Sequence, residues 1–339
     1  MKLKPEVLIN LVLGRVGVRD PSVIIGPAIG EDSAIIDLGS SYLVAHSDPI
    51  TGAVADIGWL SVHVAGNDVA VRGARPRWFL PVILLPEGSP LELIDSITAQ
   101  IDVAVRELGA MVVGGHSEYA PGLDRPIISM TALGLVERDK LVLTGGAGVG
   151  DYVVMTKSVA VEGTSILAVD FEGELLEKGV PRWVIEKARG YSKMVSVIRE
   201  AIELAENRYA SSMHDPTEGG LIGGLTEVAY ASRKTIEVWE ERIPITEETK
   251  IICEALKVDP LKLISSGVLI ATIPEGKVEE ALRRLGETGI KATVIGKVRE
   301  FNGTLLKLRR RDGSMETYEN VLVEDELMRI VSEKYKARI

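Results

Sequence analysis

The stretch Ala65-Gly-Asn-Asp-Val-Ala-Val-Arg-Gly-Ala-Arg-Pro76 decides how the rest of the chain is interpreted. Asn67 falls on the same helical face as the apolar residues around it, and Asp68 follows it. Those apolar residues recur at three- and four-residue steps: Ile57, Leu60, Val64 and Val71. A polar group at a core position is costly unless it is hydrogen-bonded or coordinates something. The stretch therefore predicts either a local role, with Asp68 paired to Arg72 and Asn67 capping a neighbouring strand, or a binding site.

The length and composition indicate a globular protein of two domains. A chain of 339 residues is long for one domain, and 46% apolar residues can supply two hydrophobic cores. Strand-like and helix-like patterns alternate imperfectly in both halves, which predicts an α+β fold. Gly145-Gly-Ala-Gly-Val-Gly150 separates the halves, and we expect domains at 1–145 and 146–339. A dinucleotide-binding fingerprint would need a helix after these glycines, whereas residues 152–156 have a strand pattern.

The charge and the apolar runs exclude several classes of protein. A net charge of -10 argues against a nucleic-acid surface, and 4% aromatic residues leave few stacking platforms. No run of about eighteen apolar residues is present, and the N-terminal sequence has no secretory apolar region. We therefore expect no membrane span and a cytoplasmic location. The single cysteine, Cys253, allows no internal disulfide, which fits a reducing compartment.

Three further segments carry an aspartate beside glycine or proline. Asp32 follows Gly30 before a predicted strand, Asp48 precedes a proline at the end of another, and Asp215 lies in His214-Asp-Pro-Thr-Glu-Gly-Gly220. Asp and Gly form ordinary turns by themselves, which is the alternative for each segment. At strand ends, however, such carboxylates can converge on one rim of a sheet.

Together these segments offer hard oxygen ligands: Asp32, Asp48, Asp68 and Asp215. Such ligands select Mg²⁺, which usually keeps waters and substrate phosphates beside one or two carboxylates. Without a dication, clustered carboxylates would repel one another. Bound Mg²⁺ would turn an acidic cleft into a triphosphate site, and phosphoryl transfer is the reaction class that follows. Thr217, Gly219 and Gly220 open a predicted helix whose backbone N–H groups would suit a phosphate.

The four histidines all lie within four residues of these polar motifs: His46, His63, His116 and His214. A shared polar pocket is one interpretation, and hydrogen-bonded core histidines are the other. Zinc is disfavoured because no cysteine accompanies the histidines and their spacing is not that of a zinc finger. We expect His116 or His214 to serve as a general base or acid.

The motifs, taken in order, resemble one enzyme superfamily. They are Gly30-Glu-Asp-Ser-Ala34, Ser47-Asp48, Asn67 to Pro76, Gly114-Gly-His-Ser117 and Asp215-Pro-Thr-Glu-Gly-Gly-Leu221. They are similar to the superfamily of aminoimidazole ribonucleotide (AIR) synthetase, selenophosphate synthetase, thiamine monophosphate kinase and the hydrogenase maturation factor HypE, and most similar to the HypE branch. The resemblance implies an ATP-dependent enzyme of two α+β domains, whose N-terminal domains pair in a homodimer to form a β-barrel.

The same resemblance implies roles for individual residues. The four aspartates would be ligands of Mg²⁺ or of a phosphate-bound metal. The side chain or backbone of a second set would line the nucleotide site: Asn67, Gly114, Gly115, His116 and Ser117.

The end of the sequence departs from the HypE pattern. HypE ends in a cysteine that receives a carbamoyl group, and the carbamoylated cysteine is dehydrated to a thiocyanate. This sequence instead ends Lys336-Ala-Arg-Ile339. Its cysteine, Cys253, lies in a pattern that predicts a core helix. We therefore expect a Mg²⁺-dependent, ATP-using enzyme that phosphorylates an oxygen of an unknown small acceptor. One alternative is a non-catalytic ATP-binding scaffold that works with a partner protein in hydrogenase maturation. The other is a small-molecule kinase similar to thiamine monophosphate kinase.

Overall fold

The computed structural model describes residues 7–51 and 56–336, which form two α+β halves. A short π-helical segment, Leu8–Leu13, precedes the first sheet. The strands of the first half are β1 (Val23–Ile25), β2 (Ala34–Asp37), β3 (Ser41–Ile50), β4 (Arg75–Pro86), β5 (Met111–Val112), β6 (His116–Ala120) and β7 (Ile127–Glu137). Its helices are α1 (Ile57–Ala70) and α2 (Leu91–Glu107). Both halves mix helices and strands, as the sequence predicted.

The second half contains a second seven-stranded sheet and most of the helices. Its strands are β8 (Tyr152–Thr156), β9 (Ser212–His214), β10 (Thr235–Trp239), β11 (Ile270–Ile273), β12 (Ala292–Arg299), β13 (Leu306–Arg309) and β14 (Met315–Tyr318). Its helices are α3 (Val161–Asp170), α4 (Glu172–Glu177), α5 (Arg182–Arg189), α6 (Ile198–Glu206), α7 (Gly220–Ser232), α8 (Glu247–Leu256), α9 (Val278–Glu287) and α10 (Glu326–Lys336). The strand β8 directly follows the glycine run that ends at Gly150, so a helix-opening dinucleotide loop is absent there.

The two sheets are open sheets with different strand orders. In the first, the order is β1-β2-β3-β7-β4-β5, and β6 also pairs with β4. In the second, the order is β14-β13-β10-β12-β8-β11-β9. Neither sheet closes into a barrel within the described part of one chain, so a barrel shared by two copies stays a prediction. No helix among the described residues is long and apolar enough to cross a membrane.

Helix α1 lies between the two halves, and all fourteen of its residues are buried. Glycine permits this close packing at two positions. A Cβ at Gly58 would lie 2.3 Å from the carbonyl oxygen of Ile97 in α2, and one at Gly66 would lie 2.9 Å from Cδ1 of Ile198 in α6. Non-bonded atoms do not approach so closely, and in a close-packed interior the neighbouring helices could not move apart to make room for a larger residue. The glycines therefore bring the polar residues of α1 into the space between the halves.

The sequence pattern over 183–207 predicts one helix, but the structure contains α5, a 3-10 segment at Gly190–Met194, and then α6. The break has a tertiary cause. The Asn67 side chain binds the backbone of Val195 and Val197, and Lys157 donates to the carbonyl oxygen of Ser196 at 2.6 Å. These bonds from distant residues satisfy backbone groups that a continuous helix would otherwise pair.

Candidate functional site

Four segments bring their aspartates to one place at the boundary between the halves. Asp32 lies in the loop before β2, Asp48 on β3, Asp68 in the last turn of α1, and Asp215 directly after β9. Burial raises the pKa of Asp68 well above its usual value, and the charges of Asp215, Asp32 and Asp48 raise it further. The four carboxylates are therefore close enough to repel one another. Asp32 and Asp215 flank strands, as the sequence pattern predicted, but Asp48 lies inside β3, which continues to Ile50 instead of ending before it.

The Asp215 carboxylate has no hydrogen-bond partner among the described residues, although the charges of His214 and Arg72 act on it. The residue is 2% exposed, and neither of its oxygens accepts a hydrogen bond. Burial and the neighbouring Asp32 raise the pKa of Asp215 to about 8. Ligand atoms of Asp32, His214 and Asp215 all lie within 4.8 Å of one another. A buried carboxylate without partners is costly, and its surroundings fit a hard divalent cation such as Mg²⁺.

Asp32 is held by two cationic groups on a single oxygen. Arg72 donates from Nη2 to Oδ2 at 2.7 Å, and Nδ1 of His214 lies 2.8 Å from the same Oδ2. Burial works to raise the pKa of Asp32, but the charges of His214 and Arg72 outweigh it and lower the pKa to about 2. Asp32 is therefore ionised near neutral pH, and its other oxygen is available to a ligand.

Arg72 is a site residue whose role the sequence pattern did not reveal. Its side chain is fully buried and also donates to the carbonyl oxygen of Met213 at 2.7 Å. The alternative in which Asp68 pairs with Arg72 is therefore wrong: Arg72 bonds to Asp32, and the ring of His46 lies nearest to Asp68, with 3.4 Å between Nε2 and Oδ2. The available signal was the position of this arginine, at the buried end of an otherwise apolar helix.

His214 is held by a carboxylate at each ring nitrogen, and its Nδ1 contact with Asp32 joins the two halves. Nδ1 faces Asp32, and Nε2 lies 2.8 Å from Oε2 of Glu227 in α7. Burial disfavours the charged ring, but the two carboxylates outweigh this and raise the pKa of His214 to about 10. A general acid or base role for His214 stays a prediction, although these two contacts leave neither nitrogen open. Glu227 carried no signal in the sequence beyond its place on a helix.

Asn67 is fully buried and connects α1 to the second half. Its Nδ2 donates to the carbonyl oxygen of Val195, and its Oδ1 accepts from the N–H of Val197, both at 2.8 Å. The sequence left open that Asn67 caps a neighbouring strand. Asn67 does bind backbone groups, but they belong to a segment 128 or more positions away in the sequence. A contact between Asn67 and a nucleotide stays a prediction.

Gly114, Gly115, His116 and Ser117 border a cavity of about 450 Å³ in the first half. A Cβ at Gly115 would lie 2.3 Å from the carbonyl oxygen of Pro81, so only glycine fits where the chain enters β6. The cavity combines apolar and polar side chains: Pro81, Ile83, Ile101, Val112, Thr98, Asp102, His116 and Ser117. Such a mixed lining is typical of small-molecule sites.

His116 lies on the same sheet as the aspartates but on a different strand. Asp48 on β3 is in register with Met130 on β7, Met130 with Pro81 on β4, and the next residue of β4 with His116 on β6. Three strand spacings separate His116 from Asp48, roughly 14 Å. The His116 ring is exposed, and its Nε2 lies 3.2 Å from Oε2 of Glu118. Within one chain, the structure does not bring His116 into the aspartate cluster.

The start of α7 is occupied by a carboxylate of the chain itself. The N–H of Gly219 donates to Oδ2 of the buried Asp325 at 2.9 Å, and the N–H of Gly220 donates to the carbonyl oxygen of Thr217 at 3.1 Å. An acidic group at a helix N-terminus is favourable, which explains this placement. The expectation that both N–H groups are free for a phosphate is thereby corrected, and any phosphate contact of Thr217, Gly219 or Gly220 stays a prediction.

Cys253 has the core position that its sequence pattern predicted. It is 2% exposed on α8 within the core of the second half. Burial raises the pKa of its thiol to about 12. The thiolate is the reactive form of cysteine, so this side chain is inert in the folded state.

Comparison with known proteins adds independent findings. A family described as AIR synthase related protein matches the chain with two models, the N-terminal domain over residues 30–136 and the C-terminal domain over 148–306. The hydrogenase expression/formation protein HupE of Azotobacter chroococcum mcd 1 is 32% identical over 79% of this chain and 79% of its own length. The carbamoyl dehydratase HypE of Azotobacter vinelandii is 31% identical over 79% and 78%. A crystal structure of the hydrogenase maturation protein HypE in complex with ATP has a TM-score of 0.71 and 26% identity, with 96% of both chains covered.

Proposed function

The chain belongs to the AIR synthase related protein family, in its HypE-like part, and we propose that it is a Mg²⁺-dependent enzyme that transfers a phosphoryl group from ATP to an oxygen of a small acceptor. The observation that carries this proposal is Asp215, a buried carboxylate without partners beside Asp32 and Asp68. A cation at this position would neutralise the repulsion among the carboxylates. The ATP-bound HypE structure of the same fold supports ATP as the nucleotide.

In this proposal the four aspartates hold Mg²⁺: Asp32, Asp48, Asp68 and Asp215. The bound ion supplies positive charge to the phosphates, which an acidic protein cannot supply from carboxylates. Arg72 keeps Asp32 ionised and oriented through its 2.7 Å bond. The cavity beside Gly114 and Gly115 is separated from the aspartates by three strand spacings along the same sheet. An extended nucleotide would reach from this cavity to the aspartates.

The transfer moves one phosphoryl group and one proton. The bond between the terminal phosphorus of ATP and its bridging oxygen breaks, a bond from the acceptor oxygen to that phosphorus forms, and ADP leaves. The acceptor proton needs a base. Of the two predicted histidines, His116 has an exposed ring whose contact is with Glu118, whereas both nitrogens of His214 are engaged. Within one chain His116 lies three strand spacings from Asp48, too far to take a proton from an acceptor beside the metal ion, so the base role of His116 requires a site completed by a second copy of the chain.

We further propose that a second copy of the chain covers the edge of the first sheet. Large apolar side chains are exposed at this edge: Val82, Met111, Val113 and Tyr119. Exposed apolar groups of this kind mark interaction surfaces when they are contiguous. A homodimer would also bring residues of one copy toward the cavity of the other, as the family resemblance implies.

One observation favours a second function, that of an ATP-binding scaffold for a maturation partner protein. Asp325 accepts the N–H of Gly219, one of the groups expected to contact a phosphate. In this second function, the site has fewer contacts to the terminal phosphate of ATP, and the protein binds ATP without transferring that phosphate. The names of the matched relatives, which refer to hydrogenase formation, agree with a partner protein in such a process.

The test is ADP formation by purified protein with ATP, Mg²⁺ and a panel of small acceptors that includes carbamoyl and vitamin-phosphate compounds. Asp68→Asn and Asp215→Asn should abolish turnover while the protein stays folded. Asp124→Asn, at an exposed loop residue, is the matched control and should retain activity. Nucleotide binding with no ADP formation across the panel would select the scaffold, and full activity of the two site variants would contradict the metal assignment.

A further inference from the structure

Among residues 7–51 and 56–336, Glu227 reaches the candidate metal site only through His214, and we propose that Glu227 is a positioning residue that holds the His214 ring so that this ring orients the Asp32 carboxylate toward the metal ion. The inference rests on the proposed function, since it assumes a cation among the aspartates. It concerns a residue of α7 that does not contact the cation position itself.

The geometry places His214 as a rigid spacer between two carboxylates. Nδ1 lies 2.8 Å from Oδ2 of Asp32, and Nε2 lies 2.8 Å from Oε2 of Glu227. The two nitrogens are on different edges of the imidazole ring, so a bond at each edge fixes both the position and the rotation of the ring. The ring side chain is 5% exposed, which leaves water little access as a substitute partner.

The ring in turn determines which oxygen of Asp32 faces a ligand. Both His214 and Arg72 bond to Oδ2. With two donors on Oδ2, the carboxylate has one orientation, and Oδ1 is the atom left for a cation shared with Asp215. Partners that orient a metal ligand in this way commonly change metal affinity by about 10- to 100-fold when they are removed.

Glu227 could also act through its charge alone, because any carboxylate near a cation attracts it. Two conservative substitutions separate orientation from charge. Glu227→Asp keeps the charge but shortens the side chain by one methylene, so its oxygens no longer reach Nε2. Glu227→Gln keeps the length and an oxygen acceptor for Nε2–H but removes the charge.

The experiment uses the full chain without nucleotide and Mn²⁺ as the probe, with free Mn²⁺ measured by electron paramagnetic resonance. We expect Glu227→Asp to weaken Mn²⁺ binding about tenfold and Glu227→Gln to stay within about threefold of the wild type. Glu241→Asp, at an exposed glutamate in the 3-10 segment after β10, is the matched control and should bind like the wild type. Thermal unfolding in metal-free buffer is measured for every variant, so that a change in binding is compared between equally folded proteins.

Equal Mn²⁺ affinity of the wild type and Glu227→Asp would overturn the inference. A loss in Glu227→Gln as large as that in Glu227→Asp would also overturn it, because charge or general stability would then explain the effect. If the wild type binds no Mn²⁺ without nucleotide, the titration is repeated with a non-hydrolysable ATP analogue, and absence of Mn²⁺ binding there too would contradict the proposed function itself, and with it this inference. The two failures are thus distinguished by the wild-type titration.

Discussion

Asp32 and His214 meet across the two halves of the chain, with 2.8 Å between Oδ2 and Nδ1, although 182 positions separate them in the sequence. Arg72, just after α1, holds the same oxygen, and Glu227 of α7 holds the other edge of the His214 ring. One polar chain therefore runs from the first half to the second through the centre of the candidate site. The same contacts that orient the carboxylates also hold the two halves together.

Replacing the unpartnered carboxylate should stabilise the metal-free protein. At pH 8 we expect Asp215→Asn to raise the free energy of unfolding by about 1–3 kcal/mol, because a buried charge without a partner is removed. Added Mg²⁺ with an ATP analogue should stabilise the wild type by about 2.7 kcal/mol at a hundred times the dissociation constant and should leave the variant unchanged. Thermal unfolding with and without the ligands measures both effects, and a metal-free variant less stable than the wild type would contradict the interpretation.

Removal of the Asn67 amide should weaken the contact between the halves. Asn67→Ala leaves the carbonyl oxygen of Val195 and the N–H of Val197 without their partner, and we expect a loss of about 2–4 kcal/mol. Asn207→Ala is the control, because its exposed amide binds only Glu203 one turn away, and it should change stability by at most about 0.5 kcal/mol. Urea unfolding compares the two, and equal losses would show that Asn67 has no special role.

The Asp325 carboxylate should stabilise α7 from outside the helix. It accepts from the N–H of Gly219 at 2.9 Å and from the N–H of Leu327 at 2.8 Å. Asp325→Ala should therefore cost about 1–2 kcal/mol, and Asp325→Asn should cost less because an amide oxygen still accepts one bond. Calorimetric titration should give both variants the ATP affinity of the wild type. Tighter ATP binding by the alanine variant would instead indicate that phosphate competes with Asp325 for this position.

Cys253 should react only when the protein unfolds. Because its thiol is buried and its pKa is raised to about 12, a thiol reagent added to the native protein at pH 8 should label no cysteine over the time in which denatured protein is labelled completely. Mass spectrometry of the intact chain gives the extent of labelling. Rapid labelling of the native protein would contradict the core position and would reopen thiol chemistry at α8.

Several features followed from the sequence because they depend on neighbours along the chain. The apolar spacing around Ile57 and Leu60 predicted α1. Glycine near Asp32 and proline beside Asp215 indicated positions next to strands, where carboxylates can converge, whereas the proline after Asp48 lies inside β3 and does not end it. The order of these motifs then indicated the family, since a shared order and spacing reflect a shared fold.

The partners of the buried polar groups were decided only by the tertiary structure. Arg72 lies one turn from Asp68 yet bonds to Asp32, and Asn67 pairs with a backbone segment that sequence periodicity assigned to the middle of a helix. Local spacing governs hydrogen bonds within a helix, whereas a buried side chain must take whichever partner the packing of distant segments brings within about 3 Å. For the same reason, the sequence did not identify Glu227 and Asp325 as site residues. The Glu227 carboxylate contacts His214, and the Asp325 carboxylate contacts Gly219, only once the two sheets and α7 are packed together.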